Sequence, residues 1–163
     1  MSLSEVILRP ARSQDLDAVR ALVAAADLPD ADVADHFPRA YAVFEERGTV
    51  IGSAGLEVHG ESGLLRSVAV ASSRRGAGIG RMLIEDRLAA ARSQSLSGVY
   101  LLTTTAPEYF TRLGFQRIAR ESVPGALHHS SEFATVCPAS AICLVKHLGT
   151  SGGSLVASYS QRY

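Results

Sequence analysis

The sequence has no excess of charge of either sign and no long apolar run, and both shortages exclude whole classes of protein. Its 163 residues include 16 Lys and Arg and 16 Asp and Glu, so the formal net charge is zero. Proteins that bind nucleic acid or anionic membranes need a basic surface, so neither partner is expected. No apolar run is long enough to cross a bilayer. The N-terminal MSLSEVILRP also lacks the basic start and apolar core of a signal peptide.

Cysteine is scarce, because only Cys137 and Cys143 occur. They form no Cys-x-x-Cys pair and no His/Cys cluster surrounds them, so no metal is predicted. If both lie on one strand they share a face, but they are too far apart for a disulfide. We expect buried free thiols, which indicate a cytoplasmic protein.

The residues that are present describe an ordinary globular domain, with 47% hydrophobic and 20% charged residues. Apolar periodicity predicts strands at 6–8, 41–45, 49–58, 64–70, 99–104, 115–119 and 141–146, and helices near 16–26, after Ile79 and at 107–113. This order indicates an α/β (α+β layered) fold with a mixed sheet covered by helices. One domain is predicted over residues 1–148, followed by a Ser/Gly-rich tail, 149–163, that we expect to be mobile.

One turn between a strand and a helix carries unusual backbone freedom and charge. Residues 67–83 read SVAVASSRRGAGIGRML, so a β-branched strand passes through two arginines and three alternating glycines into an apolar helix. Glycine lets a ligand approach the backbone, a helix start offers N–H groups without intrahelical partners, and arginine suits phosphate. The turn is therefore predicted to hold a phosphate group, and the alternative is a flexible connector with solvated arginines.

Two well-known glycine turns do not match this stretch. A P-loop needs Gly-Lys and then Ser or Thr, but Gly80 is followed by Arg81-Met82. A dinucleotide-binding turn needs a third glycine three positions after Gly78, where Arg81 stands. The pattern that remains is Arg75-x-x-Gly78-x-Gly80.

This pattern, together with YFTRLGF at 109–115, resembles the GNAT superfamily of acetyl-CoA-dependent N-acetyltransferases over about residues 5–148. The resemblance implies a mostly antiparallel sheet of about seven strands with about four helices, splayed between strands 64–70 and 99–104. It also implies acetyl-CoA as cosubstrate and allows a homodimer, since family members often dimerise. The residues implied to bind acetyl-CoA are Val68, Ala69, Val70, Arg75, Gly76, Ala77, Gly78, Ile79, Gly80, Arg81, Thr105 and Phe110.

Further segments resemble the arsenic-resistance acetyltransferases within that superfamily. They are GLEVHG (55–60), LLRSVAV (64–70), LLTTTAPEYF (101–110), Glu132-Phe133 and CPASA (137–141). The substrate implied by that group is arsinothricin, an amino acid with a methylarsinate-type head, and phosphinothricin, its phosphorus analogue, is the neighbouring class. The implied function is acetylation of the α-amino group of such an antibiotic, which confers resistance.

The resemblance implies direct attack of the amine on the thioester, for which the amine must first lose a proton. Many family members carry a tyrosine acid where this chain has Phe110. Its neighbour Tyr109 is the candidate acid, although it would point about 100° away on a helix, and the alternative is a CoA thiolate that leaves unprotonated. Relatives that acetylate phosphinothricin often carry a glutamate where Leu65 stands, so the candidate base is Glu57 or a water chain.

An anionic amino acid needs cations and hydroxyls, and the candidates are Arg66, Ser67, Arg74, Thr103 and Thr104. Strand alternation puts Arg66 on the face opposite Ser67. If strands 49–58 and 64–70 pair through a tight turn, Glu57 and Arg66 share a face, and a structural ion pair is the alternative to a binding role. Solvated loop charge is the alternative for Arg74, and an ordinary strand position is the alternative for the threonines.

Three functions therefore stay open. The first is acetylation of arsinothricin or phosphinothricin, and the second is acetylation of another small amine or amino acid by the same fold. The third is a CoA-binding module without catalysis. Release of free CoA thiol separates the enzymes from the module, and the amine that reacts separates the first two functions.

Overall fold

The chain folds around a seven-stranded sheet with the strand order β1-β2-β3-β4-β5-β7-β6, in a computed structural model that describes residues 5–136 and 139–149. The strands are β1 (Val6–Pro10), β2 (Tyr41–Glu46), β3 (Thr49–His59), β4 (Ser62–Val70), β5 (Gly98–Thr103), β6 (Gln116–Arg117) and β7 (Ile142–His147). The α-helices in this part of the chain are α1 (Leu16–Ala25), α2 (Ile79–Ser93) and α3 (Pro107–Arg112). The predictions for Cys137 and for the tail beyond residue 149 lie outside the described residues.

The sheet is mixed and mostly antiparallel, which confirms the predicted fold class. β1 with β2, β2 with β3, β5 with β7 and β6 with β7 are antiparallel pairs. β4 and β5 are parallel over Ser62↔Gly98 to Leu64↔Tyr100, and α2 connects them along the chain. A parallel pair needs such a crossover, because a tight hairpin joins only antiparallel strands. The splay expected further along these strands stays a prediction.

The chain divides into two compact units, and the first has two apolar clusters. This N-terminal unit comprises Met1–Glu57 and Leu65–Ala89. One cluster packs Val19 of α1, which is fully buried, against residues that include Ala69 of β4. The other packs Ile79 of α2 against β2 and β3. Because Ala69 precedes the glycine turn and Ile79 follows it, both ends of that turn are anchored in apolar packing.

The second, C-terminal unit comprises Val58–Leu64 and Ala90–Tyr163. Its apolar cluster includes Leu64 of β4, Tyr100 of β5, Leu127 and Phe133. Between β6 and β7 the chain forms three short helical turns, at Arg120–Ser122, Gly125–His129 and Glu132–Val136. The second turn contains Leu127, which is fully buried. Its formation therefore depends on tertiary packing, which the local sequence pattern does not show. Cys143 is a buried free thiol, as expected.

Candidate active site

The glycine turn leads from the end of β4 into the N-terminus of α2. A short 3-10 helix, Ser72–Arg74, follows β4, and the backbone N–H of Ala71 donates to the carbonyl oxygen of Ile51 on β3 at 2.8 Å. Gly76 and Gly78 have φ values of +86° and +84°, and a Cβ added at either would meet nothing within 4 Å. Only glycine adopts such φ angles without strain. Because glycine has no side chain, the backbone amides at these two positions face open space.

The start of α2 fits a bound diphosphate. The helix has 15 residues, so its first N–H groups carry the positive end of a full helix dipole. Its first turn is held against the sheet at Gly52, where an added Cβ would lie 2.9 Å from Leu83 Cδ1 and 3.1 Å from Ile79 Cγ2. The turn is thus exposed on one side and rigidly supported on the other, which is what a phosphate-binding turn requires.

The arginines of the turn have different partners. Arg75 is exposed and its Nε donates to the carbonyl oxygen of Val70 at 3.2 Å. The Nε of Arg74 donates to Glu46 Oε1 at 2.6 Å, so this guanidinium is already in an ion pair. Arg81 lies exposed on the first turn of α2. Arg75 and Arg81 therefore lie beside the exposed backbone of the turn, whereas Arg74 is paired with Glu46 of β2.

A buried ionic cluster lies on β4, the strand that precedes this turn, in the same unit. Arg66, whose side chain is fully buried, donates from Nη1 and Nη2 to the two carboxylate oxygens of Asp32, at 2.6 Å each. Its Nη1 also donates to Glu57 Oε2 at 2.7 Å. The predicted shared face of Glu57 and Arg66 is confirmed by this contact. Two carboxylates against one guanidinium give these three side chains a net charge of −1.

Ser67 joins the cluster because β4 is irregular at this residue. Its φ is +56°, which breaks the strand alternation. Arg66 Nε consequently donates to Ser67 Oγ at 3.3 Å, so the prediction that the two side chains lie on opposite faces was wrong. The hydroxyls of Tyr41 and Ser67 lie 3.0 Å apart, and Ser53 Oγ donates to the carbonyl oxygen of Ser67 at 2.9 Å.

Burial and charge act in opposite directions on the acids of the cluster. Burial disfavours the carboxylate of Asp32, but the hydrogen bonds and charge of Arg66 outweigh it and lower the pKa of Asp32. Burial raises the pKa of the Tyr41 phenol to about 12, with the positive charge of Arg66 opposing that shift. Asp32 is therefore ionised beside Arg66, and the phenol of Tyr41 near them stays neutral.

Two members of this group, Asp32 and His36, were missed in the sequence. His36 ends the short 3-10 helix Val33–His36, and its Nε2 lies 3.4 Å from Glu57 Oε2. The side chain of His36 is 35% exposed whereas that of Glu57 is 1% exposed. The available signal was the spacing of Asp32 and His36, because residues four apart lie on one face wherever the chain is α-helical.

The remaining candidates lie in the C-terminal unit. Thr103 Oγ1 accepts hydrogen bonds from the backbone N–H groups of Thr105, at 3.3 Å, and Ala106, at 3.1 Å. Thr104 and Thr105 are exposed. Phe110 is buried and Tyr109 beside it is half-buried, with their ring centroids 5.3 Å apart in an edge-on arrangement.

The C-terminal unit also has a groove of about 770 Å³, which none of the candidates lines. It runs beside β6 and the start of β7, and Arg120 lies there with its guanidinium 5.7 Å from the centroid of the Phe133 ring. Over residues 5–136 and 139–149, no three His, Cys, Asp or Glu side chains group as a metal site would require. No helix in that part of the chain is long and apolar enough to span a membrane.

The sheet order and the strand–turn–helix at β4 and α2 define the class of fold, a mixed α/β fold of the GNAT type. Residues 38–117 match the family described as Acetyltransferase (GNAT) domain. The uncharacterized N-acetyltransferase CT2212 of Chlorobaculum tepidum is 29% identical over 106 residues, which cover 64% of this chain and 66% of that relative. The chain therefore spans just under two thirds of this curated relative.

Solved structures have the same fold. The N-acetylglutamate synthase of Neisseria gonorrhoeae, complexed with coenzyme A and N-acetyl-glutamate, is similar with a TM-score of 0.77 and 21% identity over 88% of this chain, but only 35% of its own length. Rv2747 of Mycobacterium tuberculosis, in complex with CoA, has a TM-score of 0.76 and 25% identity over 88% of this chain and 99% of that one. These similarities confirm the predicted GNAT fold.

Proposed function

We propose that the protein transfers the acetyl group of acetyl-CoA to the α-amino group of a small amino acid of the arsinothricin or phosphinothricin type, and so confers resistance. The observation that carries the proposal is one strand, β4, that holds the buried carboxylates of Asp32 and Glu57 through Arg66 and then leads into the bare glycine turn at the start of α2. The turn suits the diphosphate of the donor, and the carboxylates suit the ammonium of the acceptor.

The amino-acid class is supported by the solved relatives. The Neisseria synthase was crystallised with N-acetyl-glutamate, an N-acetylated amino acid with an anionic side chain. Arsinothricin and phosphinothricin combine an α-amino group with an anionic head in the same way. The segments GLEVHG, LLRSVAV and LLTTTAPEYF, which resemble the arsenic-resistance enzymes, favour these two antibiotics over glutamate itself.

In this proposal each candidate residue has a role. Backbone groups of Val68 and Val70 pair with the pantetheine arm, the amides of 76–81 hold the diphosphate, and Arg75 adds charge. Glu57 removes a proton from the ammonium, the amine nitrogen attacks the thioester carbon, and the carbon–sulfur bond breaks. Tyr109 protonates the departing thiolate, or the thiolate leaves as such. Ser67, Thr103 and Thr104 offer hydroxyls to the substrate, and Arg66 holds the Glu57 side chain in place through its hydrogen bond.

A second candidate function is acetylation of a different small amine, and the charge of the cluster favours it. Arg66 already donates to Asp32 and Glu57, so the cluster with its net charge of −1 attracts a cation more than an anionic head. An anionic head would then need another cation to bind it. Arg74 could do so only if it left its ion pair with Glu46. Phe110, in place of the tyrosine acid, keeps a CoA-binding module without catalysis as a third candidate. A cytoplasmic location and a homodimer stay predictions.

The test is free-thiol release from acetyl-CoA with arsinothricin, phosphinothricin, glutamate and a polyamine as parallel acceptors. We expect turnover with the two antibiotics and at least tenfold lower kcat/KM with glutamate. Turnover with the polyamine alone would establish the second function and reject the first. Tight CoA binding without thiol release on any acceptor would contradict both enzymatic functions.

A further inference from the structure

His36 connects the buried cluster to solvent. Its Nε2 and Arg66 Nη1 approach the same atom, Glu57 Oε2, at 3.4 Å and 2.7 Å. Glu57 itself is 1% exposed at its side chain, so a proton that it accepts has no direct contact with bulk water. The imidazole, 35% exposed, is the neighbouring titratable group that reaches both the carboxylate and solvent. Catalytic hydrogen bonds are often long before substrate binds, and 3.4 Å suits that state.

The acetyl transfer releases one net proton, and that proton needs an exit. An ammonium and acetyl-CoA give an amide, CoA thiol and one proton. The ammonium loses its first proton to Glu57 before the nitrogen attacks. The nitrogen loses its second proton after the N–C bond forms, and the departing thiolate can take that one. The first proton is left on Glu57, whose Oε2 already accepts a hydrogen bond from Arg66 Nη1.

We propose that His36 relays the proton from Glu57 to solvent, so that it acts on the reaction through Glu57 as a positioning residue. Neutral His36 accepts the proton from Glu57 at Nε2, which restores the carboxylate, and the imidazolium then releases a proton to water. This inference rests on the proposed acetyl transfer. Imidazole suits the task because it exchanges protons near neutral pH, whereas arginine does not.

The charged and titratable groups around His36 and Glu57 come from the short helix and from three strands of the unit. Glu57 lies on β3, Arg66 on β4 and Asp32 directly before the short helix. The phenol of Tyr41 on β2 completes the group. The backbone at His36 is held separately, because its carbonyl oxygen accepts from the N–H of Ala40 at 3.0 Å. A side-chain substitution at His36 therefore leaves the local fold in place.

The test compares His36→Gln and His36→Asn with wild type and with His147→Gln, a matched change at an exposed histidine on β7. We expect kcat to fall about tenfold or more in both His36 variants, with the KM for acetyl-CoA unchanged within about twofold. Added imidazole should restore much of the lost kcat in the His36 variants and leave the other two proteins unaffected. The acid limb of the pH–kcat profile should move in the His36 variants alone.

A second measurement needs no turnover. The ¹⁵N resonance of His36 Nε2 should shift in Glu57→Gln protein without acetyl-CoA, because the carboxylate contact is lost. Wild-type kcat in His36→Gln, or a loss that imidazole does not restore, would overturn the proton exit while the proposed function stands. An inactive wild type with every acceptor would overturn both together.

Discussion

At the scale of single residues, Asp32 ties the stability of the N-terminal unit to pH. Its carboxylate is 8% exposed and accepts two hydrogen bonds from Arg66, which lower its pKa. A lowered folded-state pKa contributes stability above the unfolded-state pKa, near 3.8, and that stability is lost as pH falls through the folded-state value. We expect Asp32→Asn to lower the free energy of unfolding by about 3 kcal/mol at pH 7, and by much less below about pH 3.

Asp30→Asn is the matched control for this prediction. Asp30 pairs with Arg20 at 3.7 Å, but both side chains are more than a third exposed, so the same change should cost less than about 0.5 kcal/mol. Urea denaturation at pH 7 and at acid pH measures all three proteins. Equal losses in the two variants, or a loss in Asp32→Asn that does not depend on pH, would show that Arg66 does not hold Asp32 charged.

Some side-chain contacts in the cluster could be predicted from the sequence, and others could not. The shared face of Glu57 and Arg66 followed from strand alternation across a tight turn, because both are local geometric facts. The contact between Arg66 and Ser67 could not be predicted, because it depends on a positive φ at a serine. Asp32 reaches Arg66 across 34 residues of chain, and no local pattern records such a partner.

At the scale of elements, the turn from β4 to α2 should bind the donor through its bare backbone. We expect Gly78→Leu to weaken CoA binding at least tenfold, because a side chain at φ +84° fills the open space in front of the amides. The apolar packing at both ends should keep the fold intact, with a strain cost of about 1–2 kcal/mol. Isothermal titration with CoA and thermal unfolding measure the two effects.

Gly48→Leu separates backbone strain from loss of the ligand site. Gly48 lies in the β2–β3 hairpin with φ +79°, and an added Cβ there also meets nothing within 4 Å. The two variants should lose similar stability, while only Gly78→Leu loses affinity for CoA. Unchanged CoA affinity in Gly78→Leu would show that this turn does not bind the diphosphate of CoA.

Elements with strong local signals were predicted and those that depend on tertiary packing were not. α1 follows from apolar residues at helical spacing, and Pro107 begins α3 because proline suits a first helical position. β6 was expected to span five residues and has two, Gln116–Arg117. Both of its residues are exposed, so no buried face defines its length.

At the scale of the whole molecule, the two units respond to opposite ends of the pH range. Asp15 and Asp32, the described carboxylates with lowered pKa values, both lie in the N-terminal unit, beside Arg9 and Arg66. In the C-terminal unit, burial raises the pKa of the Cys143 thiol from 9.0 to about 11, against the charge of Arg120. Acid therefore acts first on the N-terminal unit, and alkali above about pH 9 acts first on the C-terminal unit.

The alkaline effect can be isolated at Cys143. A raised folded-state pKa means that the unfolded thiol ionises from about pH 9 while the folded one stays neutral, so stability falls as pH rises from about 9 to about 11. Two pKa units correspond to about 3 kcal/mol.

Cys143→Ala should lose much less stability than wild type over this interval, whatever the substitution itself costs at pH 7. Tyr100 and Tyr41, whose pKa values burial also raises, should add a further loss of stability above about pH 10 in both proteins. Hydrogen exchange should place the alkaline opening in amides of the C-terminal unit, around β5 and β7. Parallel losses in the two proteins would mean that Cys143 ionises as readily in the folded chain as in the unfolded one.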